Sequence, residues 1–173
     1  RAIASICSSK SSSENPSLLC EGLWDHPYQW FRVAMLREAL KETYGTGLIG
    51  VYEESSRKEW LASLRSLPLS AEEKITSVIP ATYSECAEEL LSGVENYRDL
   101  YNLQIPGGPP GCYFYDGVLK KERIGQVDVN NTRIKTYLAR TLKYLDDYQG
   151  IIDRHDIKAA IVSHKVHFRY STL

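Results

Sequence analysis

The sequence predicts an α/β fold, namely a three-layer, Rossmann-like domain with a mainly parallel sheet. Short β-branched runs, typical of buried strands, alternate with amphipathic segments along the chain. A strand, a loop, a helix and a second strand follow one another within residues 2–52, as in a right-handed βαβ unit. The 173 residues are 43% hydrophobic and 25% charged, which suits a single domain over 1–173 with a core of its own.

The first part of the chain predicts strand, loop, helix and strand in that order. The apolar run 2–7 predicts a buried first strand, and the serine-rich stretch behind it predicts a loop over about 8–23. Pro27 suits the first turn of a helix, which we expect to continue to about Tyr44. The run 48–52 then predicts a second buried strand.

The rest of the chain continues the alternation. The sequence predicts, in chain order, a helix over 58–67, a strand over 75–79, helices over 84–91 and 95–103, a long helix over 131–152 and a buried strand over 157–162. Three Gly and three Pro in 106–111 exclude a helix or a central strand there, so we expect a surface loop over 104–111. Gly107 and Gly108 predict a turn within it.

Charge and cysteine usage exclude several classes of protein. The 21 basic and 22 acidic residues nearly cancel, so we expect no nucleic-acid partner. No apolar run has the length of a membrane-spanning helix. The four cysteines match no zinc-ligand spacing and indicate reduced thiols in a cytoplasmic protein. Phosphate-loop, dinucleotide-binding and zinc-protease motifs are absent, so we expect no metal and no other cofactor.

Polar residues follow the first and last predicted strands, where parallel sheets bind their ligands. Ser8 and Lys10 follow the first strand, and their backbone N–H groups and one cation suit a phosphate; the alternative is a mobile loop. Ser163 and His164 follow the last strand. His164 either hydrogen-bonds an acceptor or a donor phosphate, or has only a structural role at the strand end.

His26 is the candidate general base. It lies beside Asp25 at the start of the predicted helix, and an oriented imidazole with a near-neutral pKa can remove a proton from a hydroxyl group. The alternative is that Asp25 or His26 only caps the helix. If the strand-end argument holds, one edge of the sheet brings together Ser8, Asp25, His26, Ser163 and His164.

Three short segments, in this order, carry a resemblance to a known group of proteins. They are Gly22-Leu23-Trp24-Asp25-His26-Pro27 running into Phe31-Arg32, then Tyr115-Asp116 with Leu119, then Ile161-Val162-Ser163-His164 with Tyr170. The set resembles the amino-terminal half of bacterial capsule and surface-polysaccharide biosynthesis proteins, which are glycosyltransferase-like and have the two-domain GT-B architecture.

The resemblance implies an acceptor-side domain that transfers sugar from a nucleotide-sugar to a glycan or lipid-linked acceptor in the full-length protein. His26 would be the base and Asp25 its partner, with Ser163 and His164 in the cleft. Both ends of the chain look cut, so we expect a missing carboxyl-terminal, donor-binding domain and no activity of this chain alone. The resemblance also implies a cytoplasmic location, with peripheral association at the inner membrane. The alternative is a non-catalytic α/β ligand-binding or interaction domain.

Overall fold

The predicted fold class is confirmed: the chain is α/β, with a parallel sheet flanked by helices in a Rossmann-like arrangement. A computed structural model describes residues 17–21, 27–44, 47–54, 56 and 58–161. The described chain divides into two compact units. We call 17–77 with 149–161 the sheet unit, and 78–148 the helical unit. That 1–173 forms one domain, the acceptor-side half of a two-domain protein, stays a prediction.

The sheet unit is built on a continuous apolar strand. It contains β1 (Ser17–Glu21), α1 (Pro27–Tyr44), β2 (Gly47–Glu53), α2 (Lys58–Arg65), β3 (Ala71–Ile75) and β4 (Ile157–Ile161). Leu48, Ile49 and Val51 of β2 are buried because this strand has a neighbour on each side. The described strands are all paired in parallel, in the order β3-β2-β1-β4.

The core of the sheet unit joins both helices to the sheet. Val33 of α1 and Leu64 of α2 pack with Leu18 and Cys20 of β1 and with Leu48 of β2. These side chains are almost completely shielded from solvent. The predicted helix from Pro27 to Tyr44 and the predicted strand over 48–52 are thereby confirmed.

The helical unit contains α3 (Ala81–Leu91), α4 (Tyr97–Tyr101), α5 (Gly111–Glu122) and most of α6 (Arg133–Arg154), whose last residues belong to the sheet unit. Its core gathers Leu100, Phe114, Val118, Ile134 and Leu138. The predicted 3- and 4-residue spacing of apolar residues on the long helix is confirmed, since Ile134, Leu138, Tyr148 and Ile151 are buried. Neither α6 nor any other described helix has the length and hydropathy needed to cross a membrane.

The 104–111 segment ends in an element that the sequence analysis did not predict. The predicted turn is present over 105–108, where the N–H of Gly108 donates to the carbonyl of Ile105 and Gly107 has a φ of 67°. Proline as the second residue and glycine as the third are the preferences of a type II turn. The segment is less exposed than predicted, because Ile105 is buried. Gly111 is also buried and begins α5.

Two expectations about the strands were wrong. The loop predicted over 8–23 contains β1, whose buried residues Leu18, Leu19 and Cys20 pair with both β2 and β4. The strand predicted over 75–79 lies instead at Ala71–Ile75. Its polar residues fit an outer strand of the described sheet because Glu72 pairs with Arg65 and Lys74 with Glu54. The strand predicted over 2–7 lies outside the described residues.

The last predicted strand was right in position and wrong in burial. β4 covers Ile157–Ile161, close to the predicted 157–162. Its middle residues Lys158, Ala159 and Ala160 are exposed. They are exposed because β4 is an outer strand of the described sheet and pairs only with β1 there.

Candidate functional site

The carboxyl edge of the sheet has a topological switch point between β1 and β4. From β1 the chain runs through α1 to β2 on one side, whereas β4 pairs with β1 on the other. Cys20 near the end of β1 lies beside Ile161 at the end of β4. In parallel α/β sheets the crevice for a ligand lies outside the carboxyl ends of the strands at such a point, where the strand order reverses.

Chain continuity relates four predicted site residues to this switch point. Asp25 and His26 lie between the end of β1 at Glu21 and the start of α1 at Pro27. Ser163 and His164 come two and three residues after the end of β4 at Ile161.

The predicted site residues themselves lie outside the described part of the chain; they are Ser8, Lys10, Asp25, His26, Ser163 and His164. Their meeting in one pocket therefore stays a prediction. Ser8 and Lys10 precede β1 in the sequence, so the strand-end argument for them depends on the strand predicted over 2–7.

Acidic side chains that the sequence analysis did not single out mark the same edge at the end of β2. The side chain of Glu53, the last residue of the strand, is buried. A reciprocal pair of hydrogen bonds closes the following turn, from Glu53 N–H to Ser56 Oγ at 3.1 Å and from Ser56 N–H to the Glu53 carbonyl at 2.9 Å. Two consecutive glutamates directly after the apolar run 48–52 were the sequence feature that could have identified them.

Glu54 is held as a carboxylate by two neighbours. Lys74 Nζ and Thr76 Oγ1 each donate to it at 3.3 Å. The hydrogen bond and charge of Lys74, with the hydrogen bond of Thr76, lower the pKa of the Glu54 carboxyl below its usual value. The described end of β2 therefore holds the Glu54 carboxylate in an ion pair with Lys74.

A second charged cluster connects the residues before β4 with β3. His155 and Arg154 directly precede β4, and both contact Glu73 of β3. Arg154 Nη2 donates to Glu73 at 2.8 Å, and His155 Nε2 lies 2.6 Å from the same carboxylate. The hydrogen bond from Arg154 lowers the pKa of the Glu73 carboxyl against the opposing effect of burial, and His155 adds to the lowering. We interpret this cluster as a structural link between the end of α6 and β3.

The helical unit contains a groove of about 630 Å³ between α3 and α6. It is lined by Tyr83, Cys86, Glu89, Leu90, Pro106, Leu142, Leu145 and Asp146. Tyr83 Oη donates to Asp146 Oδ2 at 2.8 Å. Burial, and then the hydrogen bond and charge of Asp146, raise the pKa of Tyr83 to about 12, so this hydroxyl remains protonated at neutral pH. The groove has the size and the mainly apolar lining of a small-ligand site.

The remaining candidate groups are Asp116, possible metal ligands and the cysteines. Asp116, part of the segment on which the resemblance depends, lies on α5 and is exposed. Across the ranges that the structure describes, no three His, Cys, Asp or Glu side chains are grouped so that they could hold a metal ion. The described cysteines, Cys20, Cys86 and Cys112, form no disulfide.

Comparison with known proteins adds no identification. No family model, no curated protein and no solved structure matches this chain. A function for the chain must therefore be argued from the topology of the sheet and the chemistry of the described side chains.

Proposed function

We propose that this chain is the acceptor-side domain of a bacterial glycosyltransferase of surface-polysaccharide (capsule) biosynthesis with GT-B architecture. In the full-length protein it would transfer sugar from a nucleotide-sugar donor to a glycan or lipid-linked acceptor. The observation that carries the proposal is the switch point between β1 and β4, since two of the three segments of the sequence resemblance lie at the ends of these two strands. The proposal includes a second, donor-binding domain, a cytoplasmic location and peripheral association with the inner membrane.

His26 is the proposed base. It takes the proton of the acceptor hydroxyl, whose oxygen forms the new bond to the anomeric carbon of the donor sugar while the nucleotide diphosphate leaves with the bonding electron pair. His26 directly precedes α1 in the sequence. Asp25 is the proposed orienting partner of His26.

Four further residues complete the proposed substrate contacts. Ser163 and His164 follow β4 and would hydrogen-bond the acceptor. Ser8 and Lys10 are the proposed contacts to a phosphate of the lipid-linked acceptor or of the donor.

The charge at the end of β2 supports an acceptor-side role. Glu54 puts a carboxylate at this edge of the sheet, and the nearby Lys74 is already paired with it. A nucleotide diphosphate at this position would face like charge, whereas the hydroxyl groups of a sugar acceptor can donate to carboxylates. We therefore expect the donor phosphates not to bind at the end of β2.

The test compares two histidine variants of the full-length protein. We expect His26→Ala to reduce turnover by about 10²–10⁴-fold if the imidazole is the base. His155→Gln is the matched control because His155 lies before the start of β4, where no substrate contact is proposed. Initial rates of transfer from a radiolabelled nucleotide-sugar measure both variants. A fully active His26→Ala enzyme would exclude the proposed base.

The chain by itself provides a second test. Without a donor-binding domain we expect it to transfer no sugar and to bind nucleotide-sugars only weakly. Calorimetric titration of the 173-residue chain with a nucleotide-sugar measures this, and micromolar affinity would contradict the acceptor-side assignment.

The second candidate function is a non-catalytic α/β ligand-binding or interaction domain. The groove in the helical unit favours it, since this groove is formed without any of the proposed catalytic residues. Ligand binding at that groove in a full-length protein that transfers no sugar would favour the second candidate over the first.

A further inference from the structure

The groove between α3 and α6 combines an apolar floor with carboxylates. Leu90 comes from α3, Leu142 and Leu145 come from α6, and Pro106 comes from the turn after α4. Such a floor suits the C–H face of a sugar ring or another apolar surface of similar size.

The polar groups in the groove are mainly hydrogen-bond acceptors. Glu89 is exposed, and in the described part of the chain its carboxylate has no hydrogen-bond or ion-pair partner. Asp146 accepts a hydrogen bond from the Tyr83 hydroxyl and has further lone pairs that can accept hydrogen bonds from a ligand. Because Tyr83 uses its hydrogen on Asp146, the remaining donor in the lining is the weak thiol of Cys86. A ligand that satisfies this groove must itself donate hydrogen bonds.

Two lysines of α6 are paired with carboxylates. Lys143, on the same helix as Asp146, forms an ion pair with Asp147, and its side chain is only 4% exposed. Lys135, earlier on α6, is paired with Glu88. No Lys, Arg or His belongs to the described lining, so an anionic ligand would meet Glu89 and Asp146 without compensation.

We propose that this groove binds an uncharged or amine-bearing sugar segment of the acceptor glycan and excludes anionic sugars and nucleotide-sugars. The donor groups of such a segment meet the carboxylates of Glu89 and Asp146, and its ring face packs on Leu142 and Leu145. That the ligand is a sugar rests on the proposed function. That the ligand carries no negative charge is inferred from the side chains of the groove alone.

The exposed thiol of Cys86 makes binding measurable in the unmodified chain. The rate of its reaction with a disulfide reagent, followed by mass mapping of the Cys86 peptide, reports occupancy of the groove. The probes are the neutral disaccharide of N-acetylglucosamine, its de-acetylated diamine and a disaccharide containing a uronic acid. At mildly acidic pH we expect millimolar concentrations of the first two to slow the reaction, and the third to have no effect.

Charge-neutralising variants test which carboxylate is responsible. Glu89→Gln should weaken binding of the diamine about tenfold, because a hydrogen bond between charged groups becomes one to a neutral amide. Binding of the neutral disaccharide should change by no more than about threefold. Glu95→Gln is the matched control, since Glu95 is an exposed acid of the same unit outside the groove lining.

Three results would overturn the proposal: no protection by either the neutral or the diamine sugar, equal protection by the uronic acid, or unchanged diamine binding by Glu89→Gln. Protection by a basic amphipathic peptide but by no sugar would also overturn it and would identify a protein-docking groove. The outcome is separable from that of the proposed enzyme. If the full-length protein transfers sugar but no sugar binds in the groove, only the proposed groove ligand is wrong. If a sugar binds in the groove but the full-length protein transfers none, only the proposed glycosyltransferase activity is wrong.

Discussion

Gly111 at the start of α5 occupies a position where even one added carbon meets backbone atoms. A β-carbon there would lie 2.6 Å from the carbonyl oxygen of Leu103, 2.7 Å from the nitrogen of Leu103 and 2.8 Å from the carbonyl oxygen of Leu100. Favourable contacts between heavy atoms lie at about 3.5–4.0 Å, so the added atom would be roughly 1 Å too close. We therefore expect Gly111→Ala to destabilise the helical unit.

The size of the effect follows from three contributions. Forcing an extra carbon into a packed position costs about 1–3 kcal/mol. The shift weakens the 2.9 Å hydrogen bond from Gly111 N–H to the carbonyl of Leu103, which contributes about 1 kcal/mol. The preference of alanine over glycine in a helix offsets up to about 1 kcal/mol. The net loss in the free energy of unfolding is therefore about 2 kcal/mol, or about 6 °C in Tm for a chain of this length.

Urea unfolding followed by circular dichroism measures this loss, with Gly125→Ala as the matched control. A β-carbon on Gly125 meets no atom within 4 Å, and Gly125 does not have a positive φ. We expect the control to stay within about 0.5 kcal/mol of the wild type. A Gly111→Ala protein as stable as the control, with an unchanged dependence on urea, would refute the reasoning.

Three other measurements test described contacts. Asp146→Asn should lower the pKa of Tyr83 from about 12 but leave it above its ordinary value, since burial is the larger cause of the shift. Ultraviolet titration measures this pKa, with Tyr83→Phe to identify the signal of Tyr83. An unchanged pKa in Asp146→Asn would contradict the prediction. Folding lowers the pKa of Glu73, so its stabilisation should be present at neutral pH and be lost as pH falls through the carboxyl range. A stability difference between wild type and Glu73→Gln that stays constant down to acidic pH would contradict this. Cys86 should react with a thiol reagent in the folded chain and Cys20 only after unfolding, as peptide mapping would show; equal rates would contradict the burial of Cys20.

Local sequence patterns nominated the candidate residues, and whether these residues form one site stays a prediction. Ser163 and His164 were nominated because they follow the last predicted strand, and Asp25 and His26 because they lie at the start of a predicted helix. The groove between α3 and α6 was not predictable in this way. Tyr83 and Asp146 are 63 residues apart, and only the packing of the two helices brings them into a hydrogen bond.

The sequence by itself determined the elements whose stability is local. Helix α1 begins at Pro27 and ends at Tyr44, as its first-turn proline and the following glycines predict, and the apolar spacing of α6 agrees with its buried residues. A helix makes its backbone hydrogen bonds within one segment, so its sequence carries most of the information about its position. The long apolar run of β2 was likewise sufficient to predict a buried strand.

Only the tertiary structure decided which short or polar segments became strands. The three apolar residues of β1 lay within a predicted loop, and Ala71–Ile75 is mostly polar, yet both pair with β2. A strand makes its hydrogen bonds with other segments, so its neighbours determine its position as much as its own residues do. For the same reason the sequence did not determine that β4 lies beside β1, and this strand order is what creates the switch point.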